Sequence, residues 1–186
     1  VSELFAPELL RTTLASILIA SIPLVGAWAA SKWMIPWSDK IAGAANADYK
    51  AATQGWWAFG AALGSFFGSQ LASWIGRKRS YLLISIGATS LTVAMFQLTA
   101  PLQPGFHAVV FLQGFVATLF FGWLPLYLPE LFPTEVRAAG SGIAYNVGRF
   151  VTAAGVLLAG GLFVALGGSY SRIGAVCGIV YLLGLI

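Results

Sequence analysis

Charged residues are scarce in this sequence. Only 9% of its 186 residues are Asp, Glu, Lys or Arg, while 59% are hydrophobic, and soluble domains carry about 25% charged residues. The chain contains a single cysteine, Cys177, which excludes an internal disulfide framework and a cysteine cluster for metal. Its 22 glycines and 7 tryptophans are typical of helical membrane proteins, in which small residues mediate helix contacts and tryptophans lie at the interfaces.

The ends of the sequence lack two further features. It begins with Val1 rather than Met and carries no secretory signal with a cleavage site. It stops at Ile186 inside an apolar run, so we expect it to be part of a longer protein. The formal net charge of +4 could attract nucleic acid, but the cations stand at the ends of apolar runs. Membrane topology explains that placement better, and no nucleic-acid partner is expected.

Segments without charge locate the expected membrane spans, each of which needs about 20 apolar residues. No Asp, Glu, Lys or Arg occurs between Arg79 and Glu130, which leaves room for two helices joined by a turn at 101–105. The segments lack both the alternation of barrel strands and the polar face of soluble helices. The sequence therefore predicts an all-α membrane protein with six transmembrane helices. Their expected bounds are 12–35, 54–76, 81–100, 105–128, 136–166 and 172–186.

The lysines and arginines predict the orientation of these helices. Six crossings place one group of cations on one side, namely Arg11, Arg77, Lys78, Arg79 and Arg137. The other side then holds Lys32, Lys40, Lys50 and Arg172. Because the triplet 77–79 lies in a very short loop, we assign its side to the cytoplasm. The loop 37–53 is then expected outside, with Trp33 and Trp37 at the interface.

One patterned loop joins the second and third predicted helices. Residues 69–79 read Ser-Gln-Leu-Ala-Ser-Trp-Ile-Gly-Arg-Lys-Arg, which can be a topology signal alone. The segment also resembles the loop signature of the major facilitator superfamily, G-x-L-A-D-x-x-G-R-R. The matching residues are Leu71, Ala72, Gly76, Arg77 and Lys78. Ser69 and Ser73 stand where the signature usually has glycine and aspartate.

A second patterned loop follows the fourth predicted helix and contains the glutamate and arginine of the sequence Glu130-x6-Arg137. Thr134 and Glu135 are expected to cap the fifth helix and to favour its dipole. Glu130 can then pair with Arg77, Arg79 or Arg137, and a network of such exposed pairs can bias a two-state equilibrium. The alternative is a solvated loop without a role.

This second loop resembles the E-x6-R element of the sugar-porter-like branch of the same superfamily. Further matching residues are Pro129, Pro133, Thr134, Gly140 and Gly142. The two resemblances together predict a group of gating residues, namely Arg77, Lys78, Glu130 and Arg137.

Arg149 is the charge that lies deepest in a predicted span. It follows Arg137 by twelve residues, or about 18 Å of helix, and is expected near the midplane, where an ionisable group marks a pathway or a site. It could instead bond backbone carbonyls or reach back to the surface. We predict Arg149 as an anion-binding residue with Asn146 and Tyr145 beside it. Gln113 is predicted as a cavity residue or, equally, as a helix-to-helix hydrogen bond.

Small residues predict one close helix contact. Gly60, Gly64 and Gly68 recur every four residues on one face of the second predicted helix, a pattern that lets two helix backbones approach closely.

The resemblance covers nearly the whole chain and implies that residues 1–186 are the C-terminal six-helix half of a 12-helix major facilitator transporter. Its implied partners are an N-terminal half absent from this sequence, the lipid bilayer and a small-molecule substrate. The implied function is secondary active transport by alternating access in the cytoplasmic membrane. Because of Arg149 we favour an organic anion such as a monocarboxylate or sugar acid. A neutral sugar, or a non-transporting receptor or scaffold built on the fold, is the alternative.

The spans carry no set of residues for catalysis. They contain no metal-ligand pair, no paired carboxylates and no phosphate-binding loop, so we expect no enzyme, no metal and no cofactor. H+ is the candidate coupling ion, and its carboxylate would lie in the N-terminal half because the predicted spans hold no Asp or Glu.

Overall fold

The structure is a computed structural model that describes residues 2–185; the predicted ends at Val1 and Ile186 lie outside this range. Within it the chain is helical and no strand occurs, which confirms the all-α class. The α-helices are α1 (Pro7–Val25), α2 (Met34–Ala42), α3 (Tyr49–Ile75), α4 (Arg77–Gln97), α5 (Phe106–Thr118), α6 (Leu124–Glu130), α7 (Arg137–Ala165) and α8 (Tyr170–Gly178).

Irregular helical turns join some of these helices into longer segments. A π turn at Gly26–Ala30 and a 3-10 turn at Ser31–Trp33 connect α1 to α2, and a 3-10 turn at Leu119–Gly122 connects α5 to α6. A further 3-10 stretch, Ile179–Leu185, continues α8. In the described residues, four segments are long and apolar enough to cross a membrane. They are Pro7–Ala42, Arg77–Gln97, Phe106–Glu130 and Arg137–Ala165.

The remaining two helical segments differ from these four. α3 has 27 residues, but its tryptophans, serines and glutamines replace aliphatic residues and lower its hydropathy. Tyr170–Leu185 is apolar but short. The structure therefore supports four of the six predicted crossings by length and composition.

Much of the predicted outer loop at 37–53 is helical, since helix continues to Ala42 and resumes at Tyr49. Trp37 is buried and stacks on Phe96 with ring centroids 5.5 Å apart, so it does not lie at an exposed interface. Lys32 lies within the apolar segment Pro7–Ala42, and its ammonium lies against the rings of Trp28 and Trp57.

α3 and α5 pack backbone against backbone. A Cβ added at Gly60 or Gly64 would overlap the carbonyl groups of Phe111 or Phe115 in α5, and one at Gly68 would overlap the carbonyl of Leu119 just beyond it. The four-residue repeat thus places one backbone along the other, which confirms the predicted close packing.

α1 lies along α7, and the turns that follow α1 lie between α7 and α3. Gly148 of α7 lies against Ser21 of α1, and Ala159 packs with Ala29 in the π turn. Past that turn, Lys32 contacts α3. The segment 26–33 therefore lies between α3 and α7, and a groove between it and α7 is lined by Trp28, Lys32 and Val156.

The glycine contact yields a prediction for stability. Gly64→Ala would push a Cβ into the Phe115 carbonyl and force α3 and α5 apart, at a cost of about 1–3 kcal/mol. We expect the melting temperature of the protein in detergent to fall by several degrees. The matched control is Gly55→Ala on the same helix, where a Cβ has no neighbour within 4 Å and alanine favours helix by about 1 kcal/mol. Equal melting temperatures for the two variants would contradict the tight contact.

Candidate functional site

An ion pair joins two helix ends on the predicted cytoplasmic side. Gly76 has φ +84°, a turn conformation that lets α4 begin immediately after α3 and places Arg77 at its first position. Arg77 donates to both carboxylate oxygens of Glu130 at the end of α6, with Nη2 2.8 Å from Oε1. The guanidinium also lies over the Tyr127 ring, 4.8 Å from its centroid. Both charged side chains are about half exposed, 47% and 49%.

The other residues predicted for this region behave differently. Arg137 Nε donates to the carbonyl of Phe132 at 3.3 Å, while the Glu130 carboxylate pairs with Arg77. Lys78 is exposed, and no carboxylate in the described residues lies within 4 Å of it. The structure therefore brings together Arg77 and Glu130 from the predicted gating group.

The predicted capping of α7 is wrong. Its N-cap residue is Val136, which makes no side-chain cap, and its first turn holds no acid. Residues 133–136 form a turn instead, with the Val136 amide donating to the Pro133 carbonyl at 3.2 Å. Thr134 and Glu135 consequently precede the helix and do not act on its first amides.

Arg149 lies on the surface of α7 with two of the residues predicted beside it. Arg149 and Asn146 are exposed, and Tyr145 is half-buried and packs against the core. Asn146 Nδ2 donates to the Gly142 carbonyl within the helix at 2.8 Å. Because residues three and four apart share a helix face, the three side chains form one polar patch on α7.

Gln113 lies away from this patch, at the centre of a buried hydrogen-bond network. Its Oε1 accepts from Trp57 Nε1 at 2.7 Å, and its Nε2 donates to Ser31 Oγ at 2.5 Å and to Thr92 Oγ1 at 3.1 Å. Gln113 is fully buried. The second alternative predicted for it, a hydrogen bond between helices, is therefore what the structure contains.

A charge that the sequence patterns did not single out lies between helices. Lys32 is half-buried, its Nζ donates to Gln54 Oε1 at 3.1 Å, and it lies 3.5 Å from the Trp57 ring centroid. The Trp28 ring is 5.8 Å away. Ion pairs in the described part of the chain involve Lys50 and Arg77, so Lys32 has no carboxylate within 4 Å.

A sequence signal for this site exists, because Trp28 and Lys32 are four residues apart and must share a helix face. Near the end of the predicted span 12–35, however, a cation is expected as a topology signal. Arg149 is exposed on α7, so it is not the buried charge on which the expectation rested.

Arg149 lies on the face of α7 that borders the groove containing Lys32. Val156 follows Arg149 by seven residues, so it lies on the same face of α7 about 10 Å along the axis. Val156 lines a cavity of about 120 Å³ together with Trp28 and Lys32. The groove thus contains Lys32, and Arg149 stands about two helical turns further along the same face of α7; neither has a carboxylate within 4 Å among the described residues.

Comparison with known proteins gives a consistent result. The sequence pattern of a family described as "Sugar (and other) transporter" matches residues 10–185. A probable 4-methylmuconolactone transporter of Cupriavidus pinatubonensis is 37% identical over 125 residues, which is 67% of this chain and 28% of that protein. A cis,cis-muconate transport protein of Acinetobacter baylyi is 30% identical over 127 residues, 63% of this chain and 29% of that protein.

A putative metabolite transport protein of Haemophilus influenzae is 35% identical over 117 residues, 63% of this chain and 28% of that protein. The chain therefore matches less than a third of the length of each of these relatives. No solved structure matches it.

The buried network predicts a loss of stability when its centre is removed. Gln113→Leu retains the size of the side chain but leaves Trp57 Nε1 buried without a partner, which costs about 1–3 kcal/mol. We expect a lower melting temperature and a change in tryptophan emission. Gln70→Leu is the control, because Gln70 is exposed on α3 and should tolerate the change. An unaltered melting temperature for Gln113→Leu would contradict the role of the network.

Proposed function

The chain belongs to the sugar (and other) transporter family of the major facilitator superfamily, and from this premise we propose that it is one half of a secondary active transporter. Membership makes it an integral, multi-pass membrane protein and places it with transporters and not with enzymes. We propose that its six helical segments form the C-terminal half. An N-terminal half of the same protein would be its partner in the bilayer.

The proposed substrate is a small organic anion, and the observation that carries this is the cationic groove. Arg149 is exposed on α7 and, within residues 3–185, lacks a carboxylate within 4 Å. An intramembrane cation of this kind marks a substrate or ion pathway by default. Two relatives are named for muconolactone and muconate transport, which supports an organic acid. A neutral sugar is the second candidate, favoured by the family's description.

We propose alternating access in the cytoplasmic membrane, with the Arg77–Glu130 pair biasing one conformation. An exposed pair contributes about 0–1 kcal/mol. This energy can shift the populations of two conformations but is too small to lock the protein in one of them. If transport is coupled to protons, the carboxylate would lie in the N-terminal half. The acids of the described helices stand close to helix ends, as Glu8, Asp39 and Glu130 do. No metal or organic cofactor is proposed.

Counterflow with the full-length protein in proteoliposomes tests this function. Labelled cis,cis-muconate, lactate, gluconate and glucose should give exchange of at least one organic anion. Exchange of glucose alone would favour the second candidate. A correctly folded protein that exchanges no solute would instead be a receptor or scaffold built on the same fold.

Arg149 variants give the sharpest prediction for the anion. A hydrogen bond to a charged group contributes about 1.5–3 kcal/mol, so Arg149→Ala should weaken apparent affinity about 10- to 100-fold. Arg149→Lys should retain part of the uptake because it keeps the charge. The matched control is Arg172→Ala, since Arg172 is an exposed arginine of α8. Wild-type uptake by Arg149→Ala would end the anion-binding role.

The ion pair predicts a conformational effect. Glu130→Gln and Arg77→Gln should change the ratio of inward-facing to outward-facing protein in the same direction, by up to about fivefold for 1 kcal/mol. The labelling rate of single cysteines introduced near Trp33 reports this ratio. Glu135→Gln is the control, because Glu135 is exposed and outside the pair. Opposite shifts for the two variants would show that the pair does not act as a unit.

A further inference from the structure

We propose that Lys32 is a second carboxylate-binding cation of the transport pathway, and that Trp28 beside it selects carboxylates with a planar, unsaturated carbon skeleton. This inference rests on the proposed organic-anion transport. It adds a residue and a substrate preference that neither the sequence patterns nor the relatives' names assign to this chain.

The hydrogen bonds of Lys32 leave room for a ligand. An ammonium group has three donors, and one of them is used by Gln54 Oε1 at 3.1 Å. No carboxylate of residues 3–185 lies within 4 Å to neutralise the charge, although the side chain is half-buried. Buried charges in proteins are normally paired. A substrate carboxylate would supply the missing countercharge and accept hydrogen bonds from the free N–H groups.

The aromatic wall of this site is held rigidly. Trp57 places its ring 3.5 Å from Lys32 Nζ while its indole N–H is fixed by Gln113. The π turn at Gly26–Ala30 interrupts the regular helix just before Lys32, and such interruptions are frequent at functional sites. The cation is therefore positioned before any ligand arrives, which lowers the entropy lost on binding.

Trp28 supplies a surface that is free to contact the ligand. It is 58% exposed and lines the same cavity as Lys32 and Val156. Its ring lies 5.8 Å from the ammonium, so a carboxylate on Lys32 would direct the attached carbon skeleton over the indole. A flat, unsaturated skeleton stacks on a ring better than a puckered, saturated chain.

Arg149 stands near this site along α7. It precedes Val156, which lines the cavity with Lys32, by seven residues, or about two helical turns and roughly 10 Å along the axis. The proposed pathway therefore has two cations on one face of α7, and a carboxylate substrate could contact them in turn.

The test compares two acids of equal length and charge in proteoliposomes of the full-length protein. Labelled sorbate is planar and unsaturated, and hexanoate is its saturated counterpart. We expect the wild-type KM for sorbate to be at least about fivefold lower. Lys32→Met, which keeps the apolar stem, should raise both KM values at least about tenfold, as expected for loss of a charged hydrogen bond. Lys32→Arg should recover part of that loss.

Trp28→Leu separates the two parts of the proposal. It should abolish the preference for sorbate while leaving the KM for hexanoate within about twofold of wild type. Lys40→Met is the matched control, since Lys40 is an exposed lysine of α2 and should leave both KM values unchanged. Because Trp28 is exposed, its variant remains informative if Lys32→Met does not fold.

The outcomes distinguish this inference from the proposed function. Equal wild-type KM values for sorbate and hexanoate overturn the preference, and unchanged KM values in Lys32→Met overturn the role of Lys32. Uptake of lactate or gluconate but of neither sorbate nor hexanoate overturns the inference and leaves organic-anion transport standing. Failure to transport any organic anion overturns both.

Discussion

The contact between the backbones of α3 and α5 determines where the groove residues can lie. Gly114 of α5 lies directly against the backbone of Trp57, and one residue before it Gln113 accepts the Trp57 indole N–H. That hydrogen bond turns one ring face toward Lys32. Larger residues at the glycine positions would separate the helices. The position of Lys32 therefore depends on glycines, which have no side chain that could contact it.

The sequence reveals features that are local or periodic. Gly60, Gly64 and Gly68 share a helix face by spacing alone, and Glu130 and Arg77 stand at the ends of apolar runs where water allows charge. It does not reveal which neighbour a side chain will meet across helices. Threonine is a common N-cap residue, but Thr134 lies in the turn 133–136, before α7 begins. The sequence predicts Lys32 only as an outer cation near the end of the span 12–35, because the rings that shield it come partly from α3, more than twenty residues away.

The cations that the proposed function uses are of two kinds. Arg77 and Lys50 pair with carboxylates and are about half exposed to solvent, where a pair is weak and easily exchanged. Lys32 and Arg149 are without such partners among the described residues, and they lie in segments apolar enough to cross a membrane. A pair is suited to switching between states. An uncompensated cation is suited to binding an anion, because the ligand relieves its electrostatic cost.

The exposed surface of α7 has two parts that need different surroundings. Leu157 and Leu158 are 78% and 74% exposed, and aliphatic side chains of this kind are compatible with lipid. Arg149 is exposed on another part of the helix, and a guanidinium facing hydrocarbon costs at least about 2.5 kcal/mol. The Arg149 part must therefore face water or protein. Because Val156 on the same face of α7 lines a cavity with Lys32 and Trp28, the same requirement extends to the surroundings of Lys32.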